Sequence, residues 1–221
     1  MSTLIAVMDR AGFDANTDNL VLVVPEDERL LWIPRDLWCH ELGNRINSAY
    51  RLGGEARLRS ALREHNLEPT HVLVLSRSAT EAACAEVAVI VPVPARMEFD
   101  YPLTPTSRIE DGRRRIAFDP PAVMLRGERV HQWIGARGGS DLHRIERQKV
   151  LVRRLLDTRF SFARALADPT AYRWSSDAAV DELARVSSAW RFETMGPLEP
   201  IVINAMQVLV PQTRVQPKVG S

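Results

Sequence analysis

Lysine is nearly missing from this chain. Among 29 Lys and Arg residues, only Lys149 and Lys218 are lysines, so the positive charge is carried by arginine. Arginine and lysine serve equally well as solvated surface cations, so the bias alone identifies no ligand; position has to do that. The formal net charge of +1 gives no electrostatic footprint for nucleic acid. Cysteine is scarce too. Cys39 and Cys84 form no CxxC spacing, which excludes a zinc ribbon or a dithiol redox motif and makes buried free thiols the expectation, with one disulfide left open. The five histidines show no HExxH or paired-ligand pattern, so a zinc site is not expected. No run approaches the apolar length of a membrane-spanning helix, and the first ten residues lack a basic region ahead of a long apolar stretch. The sequence therefore reads as soluble, with no visible targeting signal. Internal repeats, low-complexity blocks and linkers are also lacking.

What remains is ordinary globular material: 221 residues, 45% hydrophobic and 26% charged. That suits a single α/β domain over residues 1–211 and a disordered polar tail over 212–221. LIAVM at 4–8 is a short buried strand closed by Asp9. A turn-rich stretch follows, and Asp18 opens NLVLVV. After the turn PEDE, residues 29–34 make a third strand. An antiparallel meander of the three carries Asp9, Asp18, Arg35 and Asp36 to one edge of the sheet. EARLRSALREHN at 55–66 places Leu58, Ala61, Leu62 and His65 at helical spacing. HVLVL at 71–75 is a strand, TEAACAEV a short helix and AVIVPV at 88–93 another strand. Residues 95–112 read as a surface loop or hairpin, and 113–118 as an edge strand. Ser140 or Asp141 caps a helix reaching about Thr158, with Arg144, Arg147 and Gln148 on one face near its start. A helix over 175–190 and a final strand over 201–210 complete the reading.

Two aspartates at a sheet edge suit Mg²⁺, which takes one or two carboxylates and fills its shell with water and phosphate oxygens. Arginines beside it hold the remaining oxygens bidentately. The helix start near Asp141 adds N–H groups and a positive dipole end. The residue types also allow a plainer reading: Asp9 and Asp18 as turn residues, and Arg35–Asp36 as a surface pair worth under about 1 kcal/mol.

Five short motifs, in order, resemble the LytR-CpsA-Psr family of cell-envelope proteins, over about residues 4–211. They are Asp9 with Thr17-Asp18, WIPRD at 32–36, RINSAYRLGG at 45–54, LRGERVHQWIGAR at 125–137 and DLHRIERQ at 141–148. The resemblance implies a three-layer α/β/α domain with a central mixed sheet. It implies a polyprenyl-pyrophosphate-linked glycan as donor and transfer of its glycan phosphate to a cell-wall or polysaccharide acceptor, with Mg²⁺ assistance and some pyrophosphatase activity. The setting it implies is the cell envelope, outside the cytoplasm, with the membrane close by through the lipid. Carried over by position, Asp9 and Asp18 face the metal. Arg35, Arg137 and Gln148 hold pyrophosphate oxygens, supported by Arg45 and Arg144. Asp36 either orients Arg35 or accepts a proton from the acceptor. Leu58, Leu62, Val72 and Val74 are candidates for a lipid slot. Asn16, Gly135 and His143 replace a basic residue, an arginine and a glycine of the family pattern, and AACAEV at 82–87 replaces its glycine-rich turn. Arg10 and Arg126 are candidates to replace the lost arginine. Binding without turnover, or an interaction role in the envelope, are the alternatives these departures leave open.

Overall fold

The first strand, β1 (Thr3–Met8), is apolar on both faces, as a strand covered from both sides must be. The computed structural model describes residues 1–10, 12–86, 89–104, 111–136, 141–158, 170, 172–174 and 183–212. β2 (Thr17–Val24) returns antiparallel to β1, and β3 (Arg29–Ile33) turns back antiparallel to β2. The expected meander is therefore present. A small ribbon, β4 (Trp38–Cys39) with β5 (Asn44–Arg45), leads into helix α1 (Ala49–Arg63). β6 (His71–Leu75) runs parallel to β1 on its free side and passes into α2 (Arg77–Glu86).

A second group of elements follows: β7 (Val89–Pro92), the hairpin β8 (Met97–Pro102) with β9 (Arg113–Phe118), then β10 (Ala122–Leu125), which pairs with β7. Helices α3 (Glu128–Gly135) and α4 (Asp141–Asp157) come next. Two edge strands, β11 (Tyr172–Trp174) and β12 (Arg191–Thr194), complete the central sheet in the order β11-β6-β1-β2-β3-β12. β11 is antiparallel to β6 and β12 is parallel to β3, so the sheet is mixed.

Strand alternation sorts the side chains into two layers. Leu4, Ala6, Leu20, Leu22, Val72 and Val74 face α1, meeting Leu58, Ala61 and Leu62. Val7, Val21, Val23, Trp32 and Leu73 face the other way, towards Ala79 of α2 and Ile145 of α4. This is the three-layer α/β/α arrangement. A further core lies under the hairpin arm, where Phe118 meets Trp133 edge to face at 5.1 Å and Leu151 and Leu155 of α4 join in.

Several expectations change. The final strand is a hairpin, β13 (Leu198–Ile203) with β14 (Met206–Pro211), turning on Asn204 and Ala205 at φ 51° and 63°. Two successive left-handed residues match the twist of a two-residue hairpin. Gln212 N–H donates to the Pro197 carbonyl at 3.0 Å, which ties down the first residue of the expected tail; 213–221 lie outside the described residues. Cys39 and Cys84 are free and buried in different cores, so no disulfide joins them. Of the helix expected over 175–190, residues 175–182 lie outside the described residues, as do Arg137 and Ser140.

Candidate functional site

The meander does at atomic level what its connectivity requires. β1 ends at Met8, and Asp9 N–H donates to the Asn16 carbonyl at 2.9 Å, closing the loop that leads to β2. Beyond β3, Leu37 N–H donates to the Pro34 carbonyl at 3.1 Å, and Asn47 N–H to the Arg35 carbonyl at 3.2 Å. These bonds fix the backbone of Arg35 beside Asp18.

There the charges alternate. Asp18 Oδ1 accepts from Arg35, and from Arg144 Nη1 at 3.1 Å. Asp36 Oδ1 lies 3.2 Å from Arg45 Nη1 and 3.8 Å from Arg35 Nε. Arg45 in turn donates through Nη2 to the Gln207 carbonyl at 2.6 Å. The side chains of Arg35, Asp18 and Arg144 are only 9%, 13% and 6% exposed. Burial pushes the Asp18 carboxyl upward, but the Arg35 and Arg144 guanidiniums outweigh it and hold the group below its ordinary value. Asp18 is thus a buried carboxylate kept ionised by two cations. Asp36 bridges Arg35 and Arg45, an orienting position.

A polar cleft of about 700 Å³ opens over this row. Asp9, Asp18, Arg35 and Arg45 line one side, and Arg10, Asn16 and Arg51 also reach it. Arg51 Nε donates to Asn16 Oδ1 at 2.9 Å, so a guanidinium stands beside the asparagine that replaces a basic residue. Arg77 and Tyr101 line the cleft as well. Arg51, Arg77 and Tyr101 escaped the sequence reading. The missing signal for Arg77 is strand direction: β6 runs parallel to β1, so its C-terminal end arrives at the same sheet edge as Asp9.

Behind Arg77 lies a buried polar group. His131 Nε2 is 3.1 Å from the Arg77 carbonyl and 3.5 Å from Glu81 Oε1, and Glu81 Oε1 is 3.3 Å from Arg77 Nε. Burial, then the Arg77 charge, holds the His131 imidazole below its ordinary value, which keeps it neutral.

Beside the cleft is an apolar slot of about 110 Å³, between the sheet and the α2–α4 layer. Val7, Val21 and Trp32 form one wall, Ala79, Leu151 and Leu155 the other. The two spaces adjoin: Asp18 and Gly135 line the cleft, while their chain neighbours Asn19 and Ile134 line the slot. The slot residues expected from the sequence do not form it. Leu58, Leu62, Val72 and Val74 are closed core on the opposite face, against α1. Nothing in the alternation of a strand apolar on both faces tells which face stays open.

Gln148 also lies elsewhere than expected. Its amide donates to the Ile134 carbonyl at 3.5 Å, and it lines the slot rather than the cleft. One helical turn separates it from Arg144, a displacement of about 6 Å along α4. Arg147, expected on the same face, turns to the second core. It donates to the Trp133 carbonyl at 3.2 Å and to that of Ala136, and lies 4.9 Å over the Phe99 ring. Burial and the Arg144 charge bring its pKa down to about 10. Arg10 borders the cleft, whereas Arg126 is exposed outside it.

Among the described residues no group of three His, Cys, Asp or Glu side chains forms a metal cage. Asp9 and Asp18 both line the cleft, and two carboxylates are as many as Mg²⁺ would need from a protein when phosphate oxygens and water complete its shell. Gly135 favours that use. A Cβ at this position would come within 3.3 Å of Asp18 Oδ2, so the glycine leaves this oxygen open beside the one that Arg35 and Arg144 hold.

Neither protein-family models nor curated protein sequences match this chain. Solved structures do. TagT bound to LI-WTA aligns with a TM-score of 0.67 at 17% identity, over 95% of this chain and 83% of TagT. TagV of B. subtilis aligns with a TM-score of 0.66 at 17% identity, over 96% and 90%. Protein gbs0355 of Streptococcus agalactiae gives a TM-score of 0.71 at 13% identity, over 96% and 82%. At such identities the likeness shows architecture: the chain has the LytR-CpsA-Psr fold.

Proposed function

We propose that this protein transfers a glycan phosphate from a polyprenyl-pyrophosphate-linked donor to a hydroxyl of a cell-wall or polysaccharide acceptor, in the cell envelope outside the cytoplasm. The observation that carries this reading is an arginine-lined polar cleft next to an apolar slot, Asp18 and Gly135 lining the one and their chain neighbours Asn19 and Ile134 the other. A ligand with a doubly charged head and a hydrocarbon tail has the matching polarity. The likeness to TagT, solved with LI-WTA and with LIIa-WTA, supports a glycopolymer ligand.

In this reading the pyrophosphate lies over Arg35 and Arg144, with Arg45 at the side and the first prenyl units entering between α4 and the sheet. Asp9 and Asp18 would hold Mg²⁺, which supplies charge neutralisation on the phosphate oxygens. Arg137 joins the cradle on the strength of the motif resemblance alone. The acceptor oxygen attacks the glycan-bearing phosphorus, the bridging P–O bond breaks, and the lipid monophosphate leaves with the electron pair while the hydroxyl proton passes to solvent. The protein's part is to align the two oxygens and neutralise charge as it builds on the leaving phosphate. Asp36 keeps Arg35 and Arg45 in place.

A direct test incubates the protein and Mg²⁺ with a short-chain polyprenyl-pyrophosphate disaccharide and a hydroxyl-bearing glycan acceptor, and follows polyprenyl monophosphate and the glycan-phosphate-acceptor product by mass spectrometry. The monophosphate is expected to appear with wild type. Val152→Phe, which fills the slot, is expected to stop its release while inorganic pyrophosphate still binds. Release unaffected by Val152→Phe would remove the slot from the account; no release from wild type would remove transfer.

A further inference from the structure

Arg77 has no part in the motifs that led to the cleft, yet its surroundings are built around it. It opens α2 at the end of β6, and the Ser76 hydroxyl accepts from Ala79 N–H at 3.3 Å, fixing the helix start. Its side chain is 10% exposed. Glu81 pairs with Nε at 3.3 Å, and Tyr101 of β8 lines the same polar cleft. His131 holds its carbonyl at 3.1 Å. Burying a guanidinium is costly unless charge and hydrogen bonds compensate it. Here Glu81, one turn further along α2, provides the compensating charge, and the guanidinium it holds lines the cleft rather than filling a core.

The charge layout gives this placement a purpose. Arg35 and Arg144 converge on the single oxygen Oδ1 of Asp18, so they define one cationic locus. Gly135, beside Asp18, contributes no side chain and therefore no charge. Arg77 belongs to α2, on the far side of β1 from β2 and β3, and forms a second cationic locus of the same cleft. A ligand with one phosphate can satisfy one locus; a pyrophosphate can engage both.

We propose that Arg77 is a specificity-determining residue that binds the second phosphate of a lipid pyrophosphate, so that the cleft separates pyrophosphate from monophosphate lipids. This rests on the reading of the cleft as a lipid-pyrophosphate site. It assigns the release of the product as well, since lipid monophosphate, once formed, no longer reaches Arg77.

The test measures dissociation constants of farnesyl pyrophosphate and farnesyl monophosphate, with Mg²⁺, for wild type, Arg77→Gln, Arg77→Lys and Arg35→Ala. A charge-assisted contact of about 1.5–3 kcal/mol corresponds to roughly a tenfold to hundredfold change. Arg77→Gln should therefore weaken the pyrophosphate at least tenfold and leave the monophosphate within about twofold. Arg77→Lys should recover part of the preference, because charge is kept and the planar fork is lost. Thermal melts verify that each variant folds; if Arg77→Gln does not, Arg77→Lys still has to show a reduced pyrophosphate preference. Equal weakening of both ligands, or no change beside a clear loss in Arg35→Ala, overturns the role of Arg77 while the cleft reading stands. Absence of binding to wild type overturns both.

Discussion

Asp18 is the residue on which the site's charges converge, and its ionisation is coupled to folding. Its pKa in the folded chain lies below its ordinary 3.8. The stabilisation it brings is present above that value and is lost as pH falls through the lowered one. Urea unfolding of wild type and Asp18→Asn between pH 2 and 6 should show the variant with a flatter acid limb. At neutral pH it should be less stable by several kcal/mol, in the range of about 3–5 found when a buried pair loses one partner. His131 works in the same sense from a different range. Its neutral form is favoured in the folded chain, so stability is complete above the ordinary 6.5 and declines as pH drops below it. His131→Gln should remove part of that slope in melts from pH 7.5 to 5; His65, shifted down by burial, keeps the rest. Arg35 and Asp18 were readable because one lies two residues past the end of β3 and the other at the start of β2, in a meander of adjacent strands. Arg77 was not, because its position depends on β6 pairing parallel to β1 across more than sixty residues, a long-range choice that local pattern does not encode.

At the scale of elements, the double glycine of RINSAYRLGG has a conformational reason. Gly54 sits at φ 61° and ψ −153°, a region open in practice to glycine, and a Cβ on Gly53 would meet Arg57 Cβ at 2.8 Å. The break separates a first turn, whose Arg51 reaches the cleft, from the part of α1 that packs Leu58 and Leu62 under the sheet. Gly54→Ala should cost about 1–3 kcal/mol in chemical denaturation, the usual strain of such a position. The helical pattern from residue 55 showed the packed part of α1 and missed the earlier turn, since two glycines hide helical periodicity. The last hairpin was missed for a related reason: its turn is Asn204-Ala205 rather than Asn-Gly, and alanine seldom adopts a left-handed conformation. β11 and β12 are three and four residues long, too short for alternation to register.

At the scale of the molecule, α4 links two cores. Its Ile145 and Val152 pack on the sheet, and its Leu151 and Leu155 pack under the hairpin arm. Arg144 at its start reaches Asp18, so the helix that closes the slot also completes the cationic row. Leu151→Ala should lower stability by about 2–5 kcal/mol, as truncation of a buried leucine generally does, and a single unfolding transition would show that the two cores melt together. The charged sheet edge was legible because it follows from local pattern and adjacent strands, whereas the three layers were expected from the motif resemblance. Which sheet face holds the slot was not legible, since it depends on how closely α4 approaches. In the proposed function the cleft and slot together bind a lipid pyrophosphate. Titration calorimetry of a short polyprenyl pyrophosphate, with and without Mg²⁺, on wild type and Arg35→Ala tests it most directly. Binding that tightens with Mg²⁺ and falls by roughly tenfold to hundredfold in Arg35→Ala is the predicted result. No binding by wild type, or equal binding by both proteins, would contradict it.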